Sequence, residues 1–207
     1  MESRIVYLVR HGRIQLPDEK QRYYIGHLDI PLSQTGMVQA RDLGQQLAGL
    51  EIAAIYCSDL ARSRETARQI ATHFRLEPVA RPDLREISMG SWEGLTFAQV
   101  AERYPQEFAR RGAEIEYYHI AGGESFAECG ERARAALADI LNSTVGNVLI
   151  VGHAGLNRTL LCAMLGMSIA NAFNISQDYC CLNIICCDKH GYRIKMLNYS
   201  ATFLNTK

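Results

Sequence analysis

The chain has 207 residues, 48% of them apolar and 21% charged, which is the balance of a water-soluble globular protein. Lys plus Arg and Asp plus Glu each number 22, so the formal charge is zero, which argues against a broad nucleic-acid or anionic-membrane surface but leaves room for a local basic pocket. No apolar run approaches the roughly 20 residues that span a bilayer.

Near the start, Ile5 to Val9 is too short for a secretory h-region, and a cytoplasmic location is expected. Residues 4–9 predict a buried, β-branched strand bounded by Arg10-His11-Gly12. Residues 13–30, with Pro17, Gly26 and mixed charge, predict a long loop. Ser33 is placed to cap a helix whose stripe is Met37, Ala40, Leu43 and Leu47, closed by Gly49. A second strand is expected over Ile52 to Cys57. A helix follows from about Ala61 to Phe74, with Ala67, Ile70, Ala71 and Phe74 on one face.

Residues 78–124 are less regular and predict an irregular, partly helical insertion within one domain spanning 1–207. Thr96 with Gln99 forms a capping box for a short helix ending before Pro105; Ser125 with Glu128 forms another, opening a helix with Phe126, Cys129, Ala133, Leu137 and Ile140 inside. Asn147 to Val151 predicts a third strand, ended by Gly152-His153, and Leu156 to Leu165 a helix ended by Gly166. Two strands near 180–187 and 192–198 are joined through Lys189-His190-Gly191. Seven cysteines, an odd number, suggest reduced and mostly buried thiols. Cys180-Cys181 and Cys186-Cys187, with His190 nearby, raise a zinc site, but neighbours on a strand face opposite ways and do not share one ion.

Strands alternating with helices imply an α/β three-layer sandwich: a mostly parallel central sheet, helices on both faces and an antiparallel edge pair. Ligands of such sheets bind beyond the carboxyl ends of the strands. Those ends carry Arg10-His11-Gly12, then Ser58-Asp59 with Arg62 just beyond, then Gly152-His153-Ala154-Gly155. Two histidines and two arginines therefore converge on one rim, and helices starting near 61 and 155 would aim their positive ends there. The composite is a site for a small anion, such as a phosphate or carboxylate.

The residues Leu8-Val9-Arg10-His11-Gly12, Asp29-Ile30-Pro31-Leu32-Ser33 with Gly36, and Ser58-Asp59-Leu60-Ala61-Arg62-Ser63 with Thr66-Ala67 open a longer pattern. It continues through Leu84-Arg85-Glu86-Ile87 with Gly90 and Trp92-Glu93-Gly94, Gly122-Gly123-Glu124-Ser125, and Val151-Gly152-His153-Ala154-Gly155. In this order, over roughly residues 5–165, the chain resembles the histidine phosphatase superfamily, the phosphoglycerate-mutase-like proteins. The resemblance implies a phosphomonoesterase acting on a small phosphorylated metabolite. His11 would attack phosphorus and form a phosphohistidine that water hydrolyses. Arg10, Arg62 and His153 would hold the phosphoryl oxygens, Glu86 would be the acid and base, and neither metal nor cofactor would be needed.

Ala154 beside the clamp, and Gln15, Tyr24 and Gly26 in the bordering loop, are the expected further substrate contacts. Tyr24-Ile25-Gly26-His27 with Asp29 and Pro31-Leu32-Ser33 is similar to α-ribazole phosphatases, which makes α-ribazole 5′-phosphate a candidate substrate. Two departures stand out: Arg13 replaces the Glu usual after Arg-His-Gly, and the usual Asn is missing, with Gln15 the nearest amide. A cofactor-dependent phosphoglycerate mutase shares the nucleophile and clamp, but such mutases are typically longer, with sequence that shields the phosphohistidine from water. A phosphoester-binding scaffold is the non-enzymatic alternative, against which the intact set of His11, Arg10, Arg62, Glu86 and His153 argues. The chain is expected to be a monomer or a homodimer, with no nucleic-acid or membrane partner.

Overall fold

Strand β1 (Arg4–Arg10) sends alternate side chains into two different cores, the period of a strand buried on both faces. Val6 and Leu8 face one side; Tyr7 and Val9 face the other. The computed structural model describes residues 3–200. It places β1 inside a six-stranded sheet with β2 (Ala54–Ser58), β3 (Val79–Arg81), β4 (Val148–Gly152), β5 (Leu182–Asp188) and β6 (Gly191–Tyr199), in the order β3-β2-β4-β1-β5-β6. The pairs β3/β2, β2/β4 and β4/β1 are parallel; β1/β5 and β5/β6 are antiparallel. The sheet is thus mostly parallel with an antiparallel edge pair, and helices cover both faces, as the sequence predicts.

Helices α1 (Gln34–Leu47) and α2 (Ala61–Ala71) pack Ala40, Leu43, Leu47, Ala67 and Ile70 against Tyr7, Val9, Ile55, Leu149 and Val151. On the opposite face, α5 (Phe126–Ser143) and α6 (Ala154–Leu165) bring Cys129, Ala133, Leu137, Ile140, Leu156 and Leu160 onto Val6, Leu8, Val148 and Ile150. The Ser33 cap is present, its hydroxyl accepting the Gly36 N–H at 3.1 Å. So is the Ser125–Glu128 box, with reciprocal bonds of 3.2 and 2.8 Å. Substituting such a cap by Ala typically costs about 1 kcal/mol.

The stretch 78–124 differs from expectation at two places. Val79–Arg81 form β3, an edge strand of the main sheet rather than part of an insertion; it has three residues, two of them exposed, and so leaves no alternating pattern. Helix α3 (Phe97–Arg103) starts at its Thr96–Gln99 box as predicted, but Pro105 opens a further helix, α4 (Pro105–Ala113), instead of only ending the first. A proline at the first helical position loses no hydrogen bond, because the N–H it lacks would be an orphan there. Trp92, Val100 and Ile120 form a small core with Tyr24, which reaches in from the long loop. Cys180-Cys181 lie in a turn before β5, and Cys180 has φ +55°; Cys186 and Cys187 lie on β5, the former half-buried and the latter buried. Among the described residues no helix is long and apolar enough to cross a membrane, and no cluster of three or more His, Cys, Asp or Glu could hold a metal ion.

Candidate active site

The carboxyl ends of β1, β2 and β4 lie side by side because these strands run parallel, and a cavity of about 650 Å³ opens beyond them. His11 follows β1, its backbone N–H donating to Gly152 O at 3.1 Å and its carbonyl accepting the Cys180 N–H at 3.1 Å. Its ring lies 2.8 Å from a backbone carbonyl, Nδ1 to Gly12 O. A carbonyl only accepts, so Nδ1 carries the proton and Nε2 keeps a lone pair. Burial, and then the charges of Arg62 and Arg10, hold the His11 pKa well below the usual 6.5. The ring is a neutral, one-sided nucleophile.

His153, at the N-cap of α6, is fully buried and meets His11 with ring centroids 5.0 Å apart in a T-shaped contact. Its Nδ1 accepts from Arg62 Nε at 3.3 Å, while its Nε2 is buried with no hydrogen-bond partner among the described residues. Burial, Arg62, His11 and Arg10 all push its pKa down, so it too is neutral near neutral pH.

Arg62 is 1% exposed in the first turn of α2. Besides His153 it donates from Nη1 to Leu28 O at 2.8 Å and from Nη2 to Gly26 O at 2.5 Å. Those carbonyls stay in place because Glu93 accepts the N–H groups of Gly26, His27 and Leu28 at 3.0, 2.6 and 3.2 Å, and that of Met89 at 3.0 Å. Arg10 donates from Nη1 to Gln177 O at 2.6 Å and stacks on Tyr179, Cζ to ring centroid 3.9 Å; its buried Nε has no partner among the described residues. Gln177 is itself locked by a reciprocal amide pair with Asn183, at 2.8 and 3.1 Å, and by Asn157 at 3.1 Å.

Glu86 lines the same cavity. Its Oε1 accepts the N–H groups of Ile87 at 3.0 Å and Leu156 at 2.9 Å, and its Oε2 that of Gly155 at 2.9 Å. The start of α6 is therefore occupied by a carboxylate of the chain itself. The start of α2 is likewise occupied, with Ala61 N–H donating to Asp29 Oδ1 at 2.7 Å. The expectation that both helix starts face the anion site holds in part: Ala154 and Gly155 at the start of α6 line the cavity, but the N–H groups of Gly155 and Leu156 already have Glu86 as acceptor and that of Ala61 has Asp29.

The structure brings Arg10, His11, Arg62, Glu86 and His153 together, with Ala154 and Tyr24 on the cavity wall. Tyr24 is nonetheless 4% exposed, stacked on Phe97 at 4.2 Å and edge to face against Trp92 at 5.1 Å, which makes it first a core residue of the smaller cluster. Gly26 does not line the cavity; its carbonyl positions Arg62, and a Cβ there would collide with the Ile87 carbonyl. Gln15 is exposed outside the cavity lining, its N–H donating to Pro31 O at 3.0 Å. It sits beside the Ile14–Leu32 bridge, which buries Ile14 and turns its neighbour outward. Arg13 reaches the cavity and pairs with Glu19 at 3.2 Å. Sequence reasoning missed Arg111, Arg158, Tyr179 and Gln177. Only Arg158 left a signal, since it stands one helical turn after Ala154 on a helix that begins at the site.

The sequence profile of the Histidine phosphatase superfamily (branch 1) matches residues 6–200. Phosphoserine phosphatase 1 of Hydrogenobacter thermophilus is 32% identical over 195 residues, 92% of this chain and 90% of that protein. The adenosylcobalamin/alpha-ribazole phosphatase of Escherichia coli is 25% identical over 197 residues, 95% and 96% of the two chains. Among solved structures, mycobacterial glucosyl-3-phosphoglycerate phosphatase superposes with a TM-score of 0.85 at 27% identity, over 96% of this chain and 100% of that one.

Proposed function

This chain belongs to the histidine phosphatase superfamily, and we propose that it is a phosphatase hydrolysing small phosphorylated metabolites through a phosphohistidine at His11. The observation that carries this reading is the pair of tautomers: Nε2 of His11 is an unprotonated nucleophile, and beside it stand two buried donors with no partner among the described residues, Arg10 Nε and His153 Nε2. Buried donors left unpaired cost free energy unless a ligand meets them, and a phosphoryl group offers three acceptor oxygens.

In the first step His11 Nε2 forms a bond to phosphorus as the bond to the ester oxygen breaks, and protonated Glu86 gives that oxygen its proton. The alcohol leaves. In the second step water attacks phosphorus, the Glu86 carboxylate takes its proton, the P–N bond breaks, and inorganic phosphate departs from a neutral His11. Guanidinium groups of Arg10 and Arg62 and the N–H of His153 hold the equatorial oxygens through both steps, the positioning and charge stabilisation on which phosphoryl transfer depends. No step calls for a metal ion.

Similarity names two substrates to try first: O-phosphoserine, from the relative in Hydrogenobacter, and α-ribazole 5′-phosphate, from the relative in Escherichia coli and the Tyr24–Ser33 pattern. The test is phosphate release from a monoester panel in the presence of EDTA, with wild type and His11→Ala. Wild type should release phosphate and take up an acid-labile, alkali-stable phosphoryl label; a folded His11→Ala should do neither, with turnover down by several orders of magnitude. Substantial hydrolysis by the variant would overturn the nucleophile. Conversion of 3-phosphoglycerate to 2-phosphoglycerate, primed by 2,3-bisphosphoglycerate and faster than any phosphate release, would make the chain a mutase.

A further inference from the structure

Six arginines but only two glutamates line the cavity, with no lysine or aspartate among the lining residues. In a chain of zero formal charge this is a local concentration of cations. Arg10 and Arg62 face the phosphoryl group, Arg13 pairs with Glu19, and Arg22 is exposed at the rim over Phe97. Arg111 and Arg158 are different. Both are half-buried, and neither forms an ion pair among the described residues.

Arg158 projects from α6, its Nε donating to Ile175 O at 2.8 Å and its Cζ 5.3 Å from the Phe173 ring centroid. Arg111 projects from α4, its Cζ 5.4 Å from the Tyr24 ring and 5.7 Å from that of Phe126. Phe126 and Phe173 touch edge to face at 5.7 Å, so the two guanidinium groups flank one aromatic pair on the cavity wall. Burial depresses both arginine pKa values, and the Arg10 charge depresses that of Arg158 further. Arg111 also hydrogen-bonds the Tyr24 side chain. Aromatic faces offset part of the lost hydration, but a desolvated guanidinium with no carboxylate beside it is best met by an anion. The phosphoryl group is already matched by other residues. Arg158 lines the same cavity as Glu86, the proposed acid, and feels its charge.

We infer that the alcohol half of the substrate carries a second acidic group, received by Arg158 and, farther along the Phe126–Phe173 wall, by Arg111. This rests on the phosphatase reading above and narrows it: phosphorylated hydroxy acids and bisphosphates are favoured over esters whose leaving group is uncharged. α-Ribazole 5′-phosphate belongs to the disfavoured class.

The test compares pairs of esters that differ in the second acid alone. O-Phosphoserine is set against O-phosphoethanolamine, 3-phosphoglycerate against glycerol 3-phosphate, and glucose 1,6-bisphosphate against glucose 6-phosphate. In wild type, kcat/KM for the acidic member of at least one pair should exceed that of its partner by about tenfold or more, the scale of one charge-assisted hydrogen bond. Preference in the first two pairs identifies a carboxylate, and preference in the third a second phosphate. Arg158→Gln and Arg111→Gln should each bring the favoured ratio down toward one, and Arg158→Lys should restore part of it. The ratio is read within one protein preparation, so partial misfolding cancels. Equal rates within every pair in a wild type that hydrolyses them would overturn the second subsite while leaving the phosphatase intact, and a ratio unchanged in both Gln variants would overturn the assignment to these arginines. A wild type that hydrolyses no monoester, para-nitrophenyl phosphate included, would overturn the underlying reading instead.

Discussion

Arg62 donates its Nε–H to Nδ1 of His153 at 3.3 Å, and that contact fixes the tautomer of the histidine. A guanidinium never accepts, so the proton of His153 must be on Nε2, which is buried and unpartnered among the described residues. The ring is thereby a prepared donor. Replacing His153 by Ala should lower kcat about 10²–10³-fold, the usual loss for one preorganised donor to a developing charge. Steady-state kinetics on para-nitrophenyl phosphate, with circular dichroism to confirm folding, checks this; a loss under about threefold would mean that the ring does not touch the transferring group.

His11 and His153 should both be neutral at pH 6.5, because each folded-state pKa is depressed, first by burial and then by neighbouring arginines, below the 6.5 of a free imidazole. The unfolded chain then binds more protons than the folded one at mildly acidic pH, so stability falls as the pH drops below about 6.5 and is fully present above it. Ring ¹⁵N shifts should report neutral imidazoles at pH 6.5, with Nδ1 of His11 and Nε2 of His153 protonated. A ring half-protonated at that pH would contradict the buried geometry.

Glu86→Gln should act on two properties at once. The amide cannot protonate the leaving oxygen, so alkyl phosphates should slow about 10²-fold or more while para-nitrophenyl phosphate, with its stable phenolate, slows far less. The carboxylate also accepts three backbone N–H groups, and an amide nitrogen facing one of them is a donor against a donor. Stability should drop by about 1–3 kcal/mol, the cost of a buried donor left unpaired. Urea unfolding reads the second effect, and single-turnover phosphorylation of the two ester types reads the first. Equal slowing of both esters would leave Glu86 a binding residue.

Asn183→Leu should reach the site without touching it. Asn183 pairs with Gln177, whose carbonyl holds Arg10, and also serves Leu8 O and the Asn198 N–H at 3.0 Å each. Losing it strands several buried polar groups, so destabilisation of about 2 kcal/mol or more is expected. The freed Arg10 should bind vanadate more weakly. Calorimetric titration checks this, and unchanged vanadate affinity in the folded variant would separate the amide network from the clamp.

The parts of the fold legible in the sequence are those with a strong local signal. β1 and β4 are β-branched runs, and α3 and α5 open on capping boxes that form as written. The strand ends then placed Arg10, His11, Arg62 and His153 on one rim. β3 escaped notice because three residues on an exposed edge carry no period, and α4 because none of its residues is fully buried. Gln15 and Gly26 fall outside the cavity lining because a loop sequence does not say which way a side chain turns or which carbonyl an arginine selects, whereas Tyr24 does reach the cavity wall. The acceptors that fill the starts of α2 and α6, Asp29 and Glu86, lie 32 residues before Ala61 and 69 before Gly155, so no local pattern could announce them.

The peptide units of residues 26–28 show their two polar sides to two different partners. Their N–H groups converge on Glu93, and the carbonyls of Gly26 and Leu28 turn to Arg62. A buried guanidinium is usually steadied by a carboxylate in direct contact, which would cancel its charge toward a ligand. Here Glu93 is held one layer back, and peptide dipoles carry its influence inward, while Glu86 and Asp29 act on Arg62 through space. Arg62 is therefore anchored by two carbonyls, with no ion pair among the described residues, so an incoming dianion meets a guanidinium whose charge no acid in direct contact has cancelled.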